Sequence, residues 1–255
     1  MDISLLIIPL VALAASLVTL ISGFGLGTLL LPVFALFFPL EVAILLTAVV
    51  HLLNNLFKLG LLWKEIHWPT VLRFGVPGIV GAYMGARLMV MLGEEAPLFQ
   101  GFMHPVSPLD LVIAGLMLVF GLFELSKTMN KLSLPPHWLV PGGLLSGFFG
   151  GLSGHQGALR SLFLLRSGLG KEAFIASGVA IACLVDLTRL PTYLRGGMLT
   201  NLQEQWTLLT AVTLAAFLGA WYGRKLIHKV TMRAVQVTVG LLILAIAIFL
   251  STGII

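Results

Sequence analysis

Two glycine-rich stretches place hydrogen-bond donors inside otherwise apolar sequence. Ser22-Gly-Phe-Gly-Leu-Gly27 precedes a short apolar segment at 28–38, and Gly150-Gly-Leu-Ser-Gly-His-Gln-Gly157 precedes another at 158–165. Both segments are too short to cross about 30 Å of hydrocarbon at about 1.5 Å per residue, which predicts two half-helices. A half-helix directs its free N–H groups and the positive end of its dipole at whatever fills the break before it. Each break is therefore suited to an anion.

Side chains at the breaks add further donors. His155 and Gln156 lie within the second break, and Arg160 follows one turn into the half-helix, where its planar guanidinium suits an oxyanion. The alternative is that the glycines serve close helix packing and that Arg160 anchors a helix end near the headgroups. The predicted substrate-binding residues are the glycines and polar residues of the two breaks: Gly23, Gly25, Gly27, Thr28, Ser153, Gly154, His155, Gln156, Gly157 and Arg160.

A second polar group lies along the apolar segment 42–63. His51, Asn54, Asn55 and Lys58 are spaced i, i+3, i+4 and i+7, which places all four on one face of a helix. Polar and charged side chains inside a membrane should face a cavity or each other. We therefore expect this face to line a transport pathway or to take part in coupling.

The segment 173–194 carries Asp186 and Arg189 at the corresponding places, one turn apart, so that the two can pair. A charged side chain within a membrane costs about 2.5–3.5 kcal/mol on insertion scales, which makes a pathway or coupling role an expectation for this pair too. The alternative is that the pair only holds the interior together, and that Lys58 and Arg189 extend to the membrane interface.

The composition is that of an integral membrane protein. Of 255 residues, 58% are hydrophobic and only 10% are charged, and the mean hydropathy is +1.06. Soluble domains are about 25% charged, so a soluble enzyme, a disordered scaffold and a secreted disulfide module are excluded. A single cysteine, Cys183, allows no disulfide framework. The apolar N-terminus has neither a basic flank nor a cleavage site, which indicates a retained helix.

The chain repeats itself. An offset of 131 residues aligns the first part of each half, and a further shift of seven aligns Gly-Ala-Tyr-Met-Gly-Ala-Arg-Leu at 81–88 with Gly-Ala-Trp-Tyr-Gly-Arg-Lys-Leu at 219–226. Glycines four apart on an apolar helix allow close backbone approach. We predict two repeats of one transmembrane domain, at 1–130 and 131–255. The first offset aligns Gly23 with Gly154, Glu41 with Glu172, Asn55 with Asp186, and Lys58 with Arg189.

The basic residues indicate the orientation of the chain rather than nucleic-acid binding. Lys and Arg are concentrated in the connections at 58–73 and 126–138, whereas the loop at 93–107 carries only acidic charges. Placing the basic connections in the cytoplasm makes the repeats inverted and puts both termini on the outer side.

The predicted fold is an all-α polytopic membrane protein with two inverted repeats. Each repeat is a helical hairpin with a Gly-rich break and a short half-helix, followed by three transmembrane helices. Secondary transporters are built in this way, with the substrate at the bilayer midplane, although a channel is also compatible. The alternative function is a membrane-embedded accessory or assembly protein. No nucleophile–base pair, metal cluster or nucleotide loop is found, so we expect no enzyme activity, cofactor or metal.

The motif G-F-G-L-G-T-L-L-L-P at 23–32, the turn Ile66-His-Trp68 and the paired G-A-x-x-G blocks resemble the TauE/SafE sulfite exporter family. The resemblance implies transport of sulfite, sulfonates or related anions across the bacterial cytoplasmic (inner) membrane, with substrate contacts around the two breaks. We therefore expect a secondary transporter that exports a small anion by alternating access. Its partners would be that anion and lipid, without nucleic acid; a homodimer stays open. If protons are coupled, His155 or His51 would titrate.

Overall fold

The fold is helical almost throughout the part of the chain that the computed structural model describes, which is residues 3–22, 25–126, 133–226 and 232–255. These residues contain eleven α-helices and one short β-hairpin, whose strands β1 (Phe99–Gln100) and β2 (Pro105–Val106) pair antiparallel. The helices are α1 (Ser4–Ser22), α2 (Gly27–Ala35), α3 (Leu40–Leu62), α4 (Trp68–Gly93), α5 (Pro108–Leu125), α6 (Leu139–Ser153), α7 (Gly157–Leu164), α8 (Lys171–Tyr193), α9 (Leu199–Glu204), α10 (Trp206–Leu226) and α11 (Met232–Thr252).

Five helical segments of the described residues are long and apolar enough to cross a membrane. They are Leu40–Glu65, Trp68–Gly93, Pro108–Leu125, Lys171–Met198 and Trp206–Gly223. The prediction of an all-α polytopic membrane protein is confirmed. The two predicted half-helices are present as α2 and α7, of 9 and 8 residues, each too short to span alone.

Helices of the first half pack on helices of the second half. α1 packs on α10, α6 packs on α4, α3 packs on α8, and α5 packs on α11. The hydrophobic core lies between these pairs, and large apolar side chains on the outer faces of α4 and α10 are exposed, as expected of surfaces that meet lipid. The predicted boundary between the repeats, at 130/131, lies outside the described residues.

Glycines form the seams of two of these helix pairs. A Cβ placed on Gly81 of α4 would lie 2.1 Å from the carbonyl oxygen of Leu144 on α6. One placed on Gly219 of α10 would lie 2.2 Å from the carbonyl oxygen of Leu13 on α1. Leu13 and Leu144 are themselves 131 residues apart, so the contacts of one seam recur in the other with the halves exchanged. These glycines serve close packing of backbones.

In the pair α5–α11, one glycine on each helix lies at the contact. A Cβ on Gly121 would lie 3.2 Å from the carbonyl oxygen of Gly240, and one on Gly240 would lie 3.1 Å from the carbonyl oxygen of Gly121. The two halves thus also meet through close backbone contact at this pair.

The hairpin and α9 were not expected from the sequence. The hairpin is held by main-chain hydrogen bonds to the end of α11, from Phe102 N to the Thr252 carbonyl at 3.0 Å and from Met103 N to the Gly253 carbonyl at 2.7 Å. Backbone bonds between segments so distant in sequence leave no periodic pattern, which explains the omission.

Candidate functional site

The two helix breaks meet inside the protein. A Cβ on Gly27, at the start of α2, would lie 3.4 Å from the carbonyl oxygen of Gly154, which ends α6. Gly154 has a φ of +82°, a conformation that glycine adopts without strain. The helix direction therefore changes at Gly154, beside the start of α2, and α7 starts three residues later. Gly25 also belongs to this junction, whereas Gly23 lies outside the described residues.

The hydroxyl groups predicted at the breaks bind the backbone instead of facing open space. The Thr28 hydroxyl donates to the Gly25 carbonyl at 2.7 Å, and the Ser153 hydroxyl donates to the Phe149 carbonyl at 3.0 Å. A residue that the sequence did not single out, Ser146, donates to the Gln156 carbonyl at 3.1 Å. These bonds give the buried hydroxyls partners, whereas the Gly25 and Gln156 carbonyls also accept from the backbone N–H groups of Thr28 and Arg160. Thr28 and Ser153 therefore shape the breaks.

Asp186 is the centre of a buried ion-pair network that joins the two halves. One carboxylate oxygen lies 2.6 Å from Nδ1 of His51 on α3. The other accepts from Nε of Arg189 at 2.9 Å and lies 2.8 Å from a terminal guanidinium nitrogen of the same residue. All three side chains are buried. The predicted pairing of Asp186 with Arg189 is present, and Arg189 does not extend to the membrane interface.

The guanidinium of Arg189 also braces the second break. It donates to the Gly150 carbonyl at 3.1 Å and lies 3.0 Å from the position that a Cβ on Gly154 would take. Tyr193, which the sequence analysis missed although it lies one turn after Arg189, donates its hydroxyl to the Gly151 carbonyl. The break is thus fixed from the α8 side.

Two cationic side chains face one narrow buried cavity beside the breaks. Lys58 is 3% exposed and Arg160 is 6% exposed, and both line a cavity of about 20 Å³ that is partly open to the outside. No acidic residue is among the described residues that line it. The lining consists of polar groups at one end and apolar side chains at the other: Thr19, Gly25, Leu26, His51, Asn55, Lys58, Arg160, Leu164, Phe174, Ile175, Gly178 and Val179.

The hydrogen-bond partners found for Lys58 within the described residues are neutral. Its Nζ donates to Oγ1 of Thr19 at 3.4 Å. With the Asn54 amide oriented so that both its oxygen and its nitrogen have partners, the oxygen accepts from this Nζ at 3.1 Å and the nitrogen donates to the Ala216 carbonyl at 3.3 Å. Lys58 is therefore buried, and it does not extend to the membrane interface.

Arg160 has spare hydrogen-bonding capacity in the described structure. One terminal nitrogen of its guanidinium, NH1, is buried and has no hydrogen-bond partner there. The guanidinium lies against Gly178 of α8, where a Cβ would be 3.3 Å from Nε. A larger residue at 178 would press on this arginine. Its burial argues against a headgroup anchor.

His155 and Gln156 are buried in the second break but are not among the residues that line the cavity. The His155 ring stacks on Phe120 with centroids 5.5 Å apart and an interplanar angle of 1°, and its Nδ1 lies 3.1 Å from the Ser153 hydroxyl. Its Nε2 and both amide atoms of Gln156 have no partner in the described structure. They form a second polar position behind the cavity.

Sequence reasoning predicted four of the five polar side chains of the cavity and missed Thr19. Thr19, Phe174 and Gly178 were not anticipated. Thr19 carried a usable signal, because the 131-residue offset aligns it with Gly150, the first residue of the second break. In the structure, Lys58 contacts Thr19 and Arg189 contacts Gly150. The predicted residues that line the cavity are Gly25, His51, Asn55, Lys58 and Arg160.

Fold and site together define a polytopic membrane protein with a positively charged cavity where two broken helices meet. The chain belongs to the sulfite exporter TauE/SafE family, whose model matches residues 8–250. Members of this family are membrane exporters of sulfite and related anions, and they are transporters rather than enzymes. A search among curated proteins found no match.

Proposed function

We propose that this protein is a secondary transporter that exports a small anion, sulfite or an organosulfonate, by alternating access. The anion binds in the cavity beside the two breaks, between Lys58 and Arg160, and the cavity widens from about the size of one water molecule to admit it. The observation that carries the proposal is the pair of buried cations that share a cavity without an acidic residue among its described lining. Buried charges are normally paired, so a cavity of this kind favours an anionic ligand.

Geometry at the cavity suits an oxyanion. The guanidinium of Arg160 presents several donors in one plane, and one of its nitrogens is unoccupied. The Lys58 ammonium adds a point charge from α3. A sulfite or sulfonate group, with three oxygens on one sulfur, offers enough acceptors for both.

The membrane potential favours the proposed direction. Moving one elementary charge through 100 mV is worth about 2.3 kcal/mol, and the inside-negative potential drives anions outward. Export therefore needs little additional coupling, whereas import of the same anion would need a driving ion.

Alternating access requires two arrangements of the same fold, and inverted repeats provide them. We propose that residues 1–130 and 131–255 are such repeats, with both termini on the outer side of the bacterial cytoplasmic membrane. The reciprocal seams at Gly81 and Gly219 support this proposal, because equivalent contacts with the halves exchanged are what a two-fold relation produces.

The first test is binding by the purified protein in detergent. Thermal unfolding is followed with sulfite, thiosulfate, sulfoacetate, taurine, sulfate and chloride; a ligand at about 100 times its Kd stabilises by about 2.7 kcal/mol. We expect sulfite or a sulfonate to raise Tm most. The second test is efflux of the same anion from proteoliposomes under a membrane potential.

The matched control is Arg166→Ala, which removes an exposed arginine just after α7 and changes the net charge as Arg160→Ala does. We expect Arg166→Ala to retain stabilisation and efflux, and Arg160→Ala to lose both. If none of the six anions stabilises or crosses with the wild-type protein, the accessory or assembly role replaces transport.

A further inference from the structure

The imidazole of His51 lies between a fixed carboxylate and the cavity. Its Nδ1 lies 2.6 Å from the carboxylate of Asp186, and the ring also lines the cavity. The other ring nitrogen, Nε2, points toward the first break, where it would lie 3.3 Å from a Cβ on Gly25. One histidine therefore contacts both the buried ion-pair network and the proposed anion site.

The ion-pair network fixes which nitrogen of His51 carries its proton. Asp186 is paired with Arg189 through its other oxygen, which favours the ionised carboxylate. An ionised carboxylate only accepts hydrogen bonds, so Nδ1 of His51 must be the N–H donor. In the neutral ring Nε2 is then the acceptor. The Asn55 amide nitrogen lies 3.2 Å from both ring nitrogens, and with Nδ1 protonated it can donate only to Nε2.

An acceptor at Nε2 conflicts with a bound oxyanion, because both groups carry lone pairs and neither can donate. One proton on Nε2 removes the conflict, since the imidazolium then donates to the anion while Nδ1 still donates to Asp186. The Asn55 amide gives up its bond to Nε2 in that step. The anion thus needs the proton for its contact with His51.

The charges around His51 make this dependence mutual. Besides its own helix, where Lys58 lies two turns along, it faces Asp186 and Arg189 from α8 and shares the cavity with Arg160 from α7. The described residues of the first break that line the cavity, Gly25 and Leu26, carry no charge. Without an anion the two free cations oppose a third positive charge, and a bound anion reverses that effect.

We infer that anion binding is coupled to uptake of one proton from solution at Nε2 of His51. The inference rests on the proposed function and specifies how that site is regulated: the proton and the anion each increase the affinity of the other. The new N–H bond is the only bond formed, and Asp186 stays ionised throughout.

The experiment is calorimetric titration of the wild-type protein with thiosulfate and with sulfite, in two buffers of different ionisation enthalpy. Thiosulfate itself takes up no proton at neutral pH, so the number of protons taken up when it binds reports on the protein alone. We expect one proton taken up per anion bound, and a Kd that rises about tenfold per pH unit once His51 is neutral in the free protein.

The variant His51→Gln separates the role of this residue from that of other histidines. A glutamine amide can donate to the anion without taking up a proton, so we expect binding with no uptake and a flat pH profile. His155→Gln, in the second break, and His104→Gln, in an exposed loop, should retain the uptake of the wild-type protein. If His51→Gln does not fold, nitrogen-15 spectra of histidine-labelled wild-type protein replace it, and one neutral ring should become doubly protonated when thiosulfate is added.

The outcomes separate the two proposals. Binding without proton uptake in the wild-type protein overturns the coupling and leaves the anion transporter intact. Uptake that persists in His51→Gln, or is lost only in His155→Gln, overturns the assignment to His51. Absence of binding by both anions overturns this inference, and absence across the full anion screen overturns the proposed function with it.

Discussion

Lys58 and Arg189 are 131 residues apart and hold corresponding places in the two halves, but among the described residues only Arg189 is paired with a carboxylate. Each projects from the third helix of its half toward the first helix, to Thr19 and Gly150 respectively. Three residues before Arg189 stands Asp186, whereas three residues before Lys58 stands Asn55. Asp186 neutralises Arg189, whereas Asn55 cannot neutralise Lys58. The cavity therefore keeps the positive charge of Lys58.

Replacing Asn55 by Asp should supply the missing carboxylate and pair it with Lys58. Because one cation of the cavity would then be neutralised, we expect the Kd for sulfite to rise at least about tenfold, equivalent to about 1.4 kcal/mol. The measurement is the sulfite-dependent shift in Tm together with calorimetric Kd.

Asn55→Ser is the control for this change, because it removes the amide without adding charge. It should weaken sulfite binding far less than Asn55→Asp does. Equal effects of the two variants would show that the amide, and not the charge of Lys58, is what the anion requires.

Replacing Arg160 by Ala should weaken anion binding, because the unoccupied donor in the cavity is lost. Arg160→Lys should restore only part of the affinity, since an ammonium keeps the charge but not the planar set of donors. Efflux from proteoliposomes and calorimetric Kd measure both effects. Wild-type binding in Arg160→Ala would remove this residue from the site.

Replacing Asp186 by Asn should destabilise the protein strongly. The change leaves the guanidinium of Arg189 buried without a charged partner, and breaking a buried pair on one side typically costs about 3–5 kcal/mol. The double variant with Arg189→Met removes both charges and should recover much of the loss. Thermal unfolding in detergent measures the series, and a double variant as unstable as Asp186→Asn alone would contradict this account.

Replacing Gly81 or Gly219 by Ala should destabilise the fold by comparable amounts. In each case the added methyl group would lie about 2 Å from a backbone carbonyl oxygen of the facing helix, where no side chain can move aside. Gly115→Ala is the control, because nothing lies within 4 Å of its Cβ position on α5. It should be neutral or stabilising, since Ala is favoured over Gly in helices by about 0.8–1.0 kcal/mol.

The proposed orientation predicts which loops react from outside the cell. In a Cys183→Ser background, a cysteine at Glu94 should be labelled by a membrane-impermeant thiol reagent on intact cells, and one at Glu65 only after the membrane is opened. Both positions are exposed in the structure. The reverse pattern would invert the topology, and labelling of both from outside would contradict a cytoplasmic connection after α3.

The helical fold and both breaks could be predicted from the sequence, because hydropathy and segment length decide which segments cross a bilayer and which cannot. The common face of His51, Asn55 and Lys58 followed from helical spacing. The pair of Asp186 and Arg189 was also accessible, since residues one turn apart on a helix are neighbours.

The remaining parts of the site depend on which helices pack together. The hydrogen bond between His51 and Asp186 joins residues 135 positions apart, and no local pattern marks it. The location of His155 against Phe120, outside the cavity, equally depends on how α5 meets α6. Spacing along one helix cannot give such contacts. The sequence therefore predicted a single site at the two breaks, whereas the structure has a cavity and, behind it, a separate polar position at His155 and Gln156.

The glycine seams also constrain how the protein is made. α1 is synthesised before its partner α10, and α4 before its partner α6. Each therefore enters the bilayer with an exposed backbone surface whose partner helix has not yet been made. Neither half can complete its packing on its own. A chain interrupted after α5 would therefore present unfilled grooves to lipid and to quality-control proteases, and two separately produced halves should gain stability only when they are inserted together.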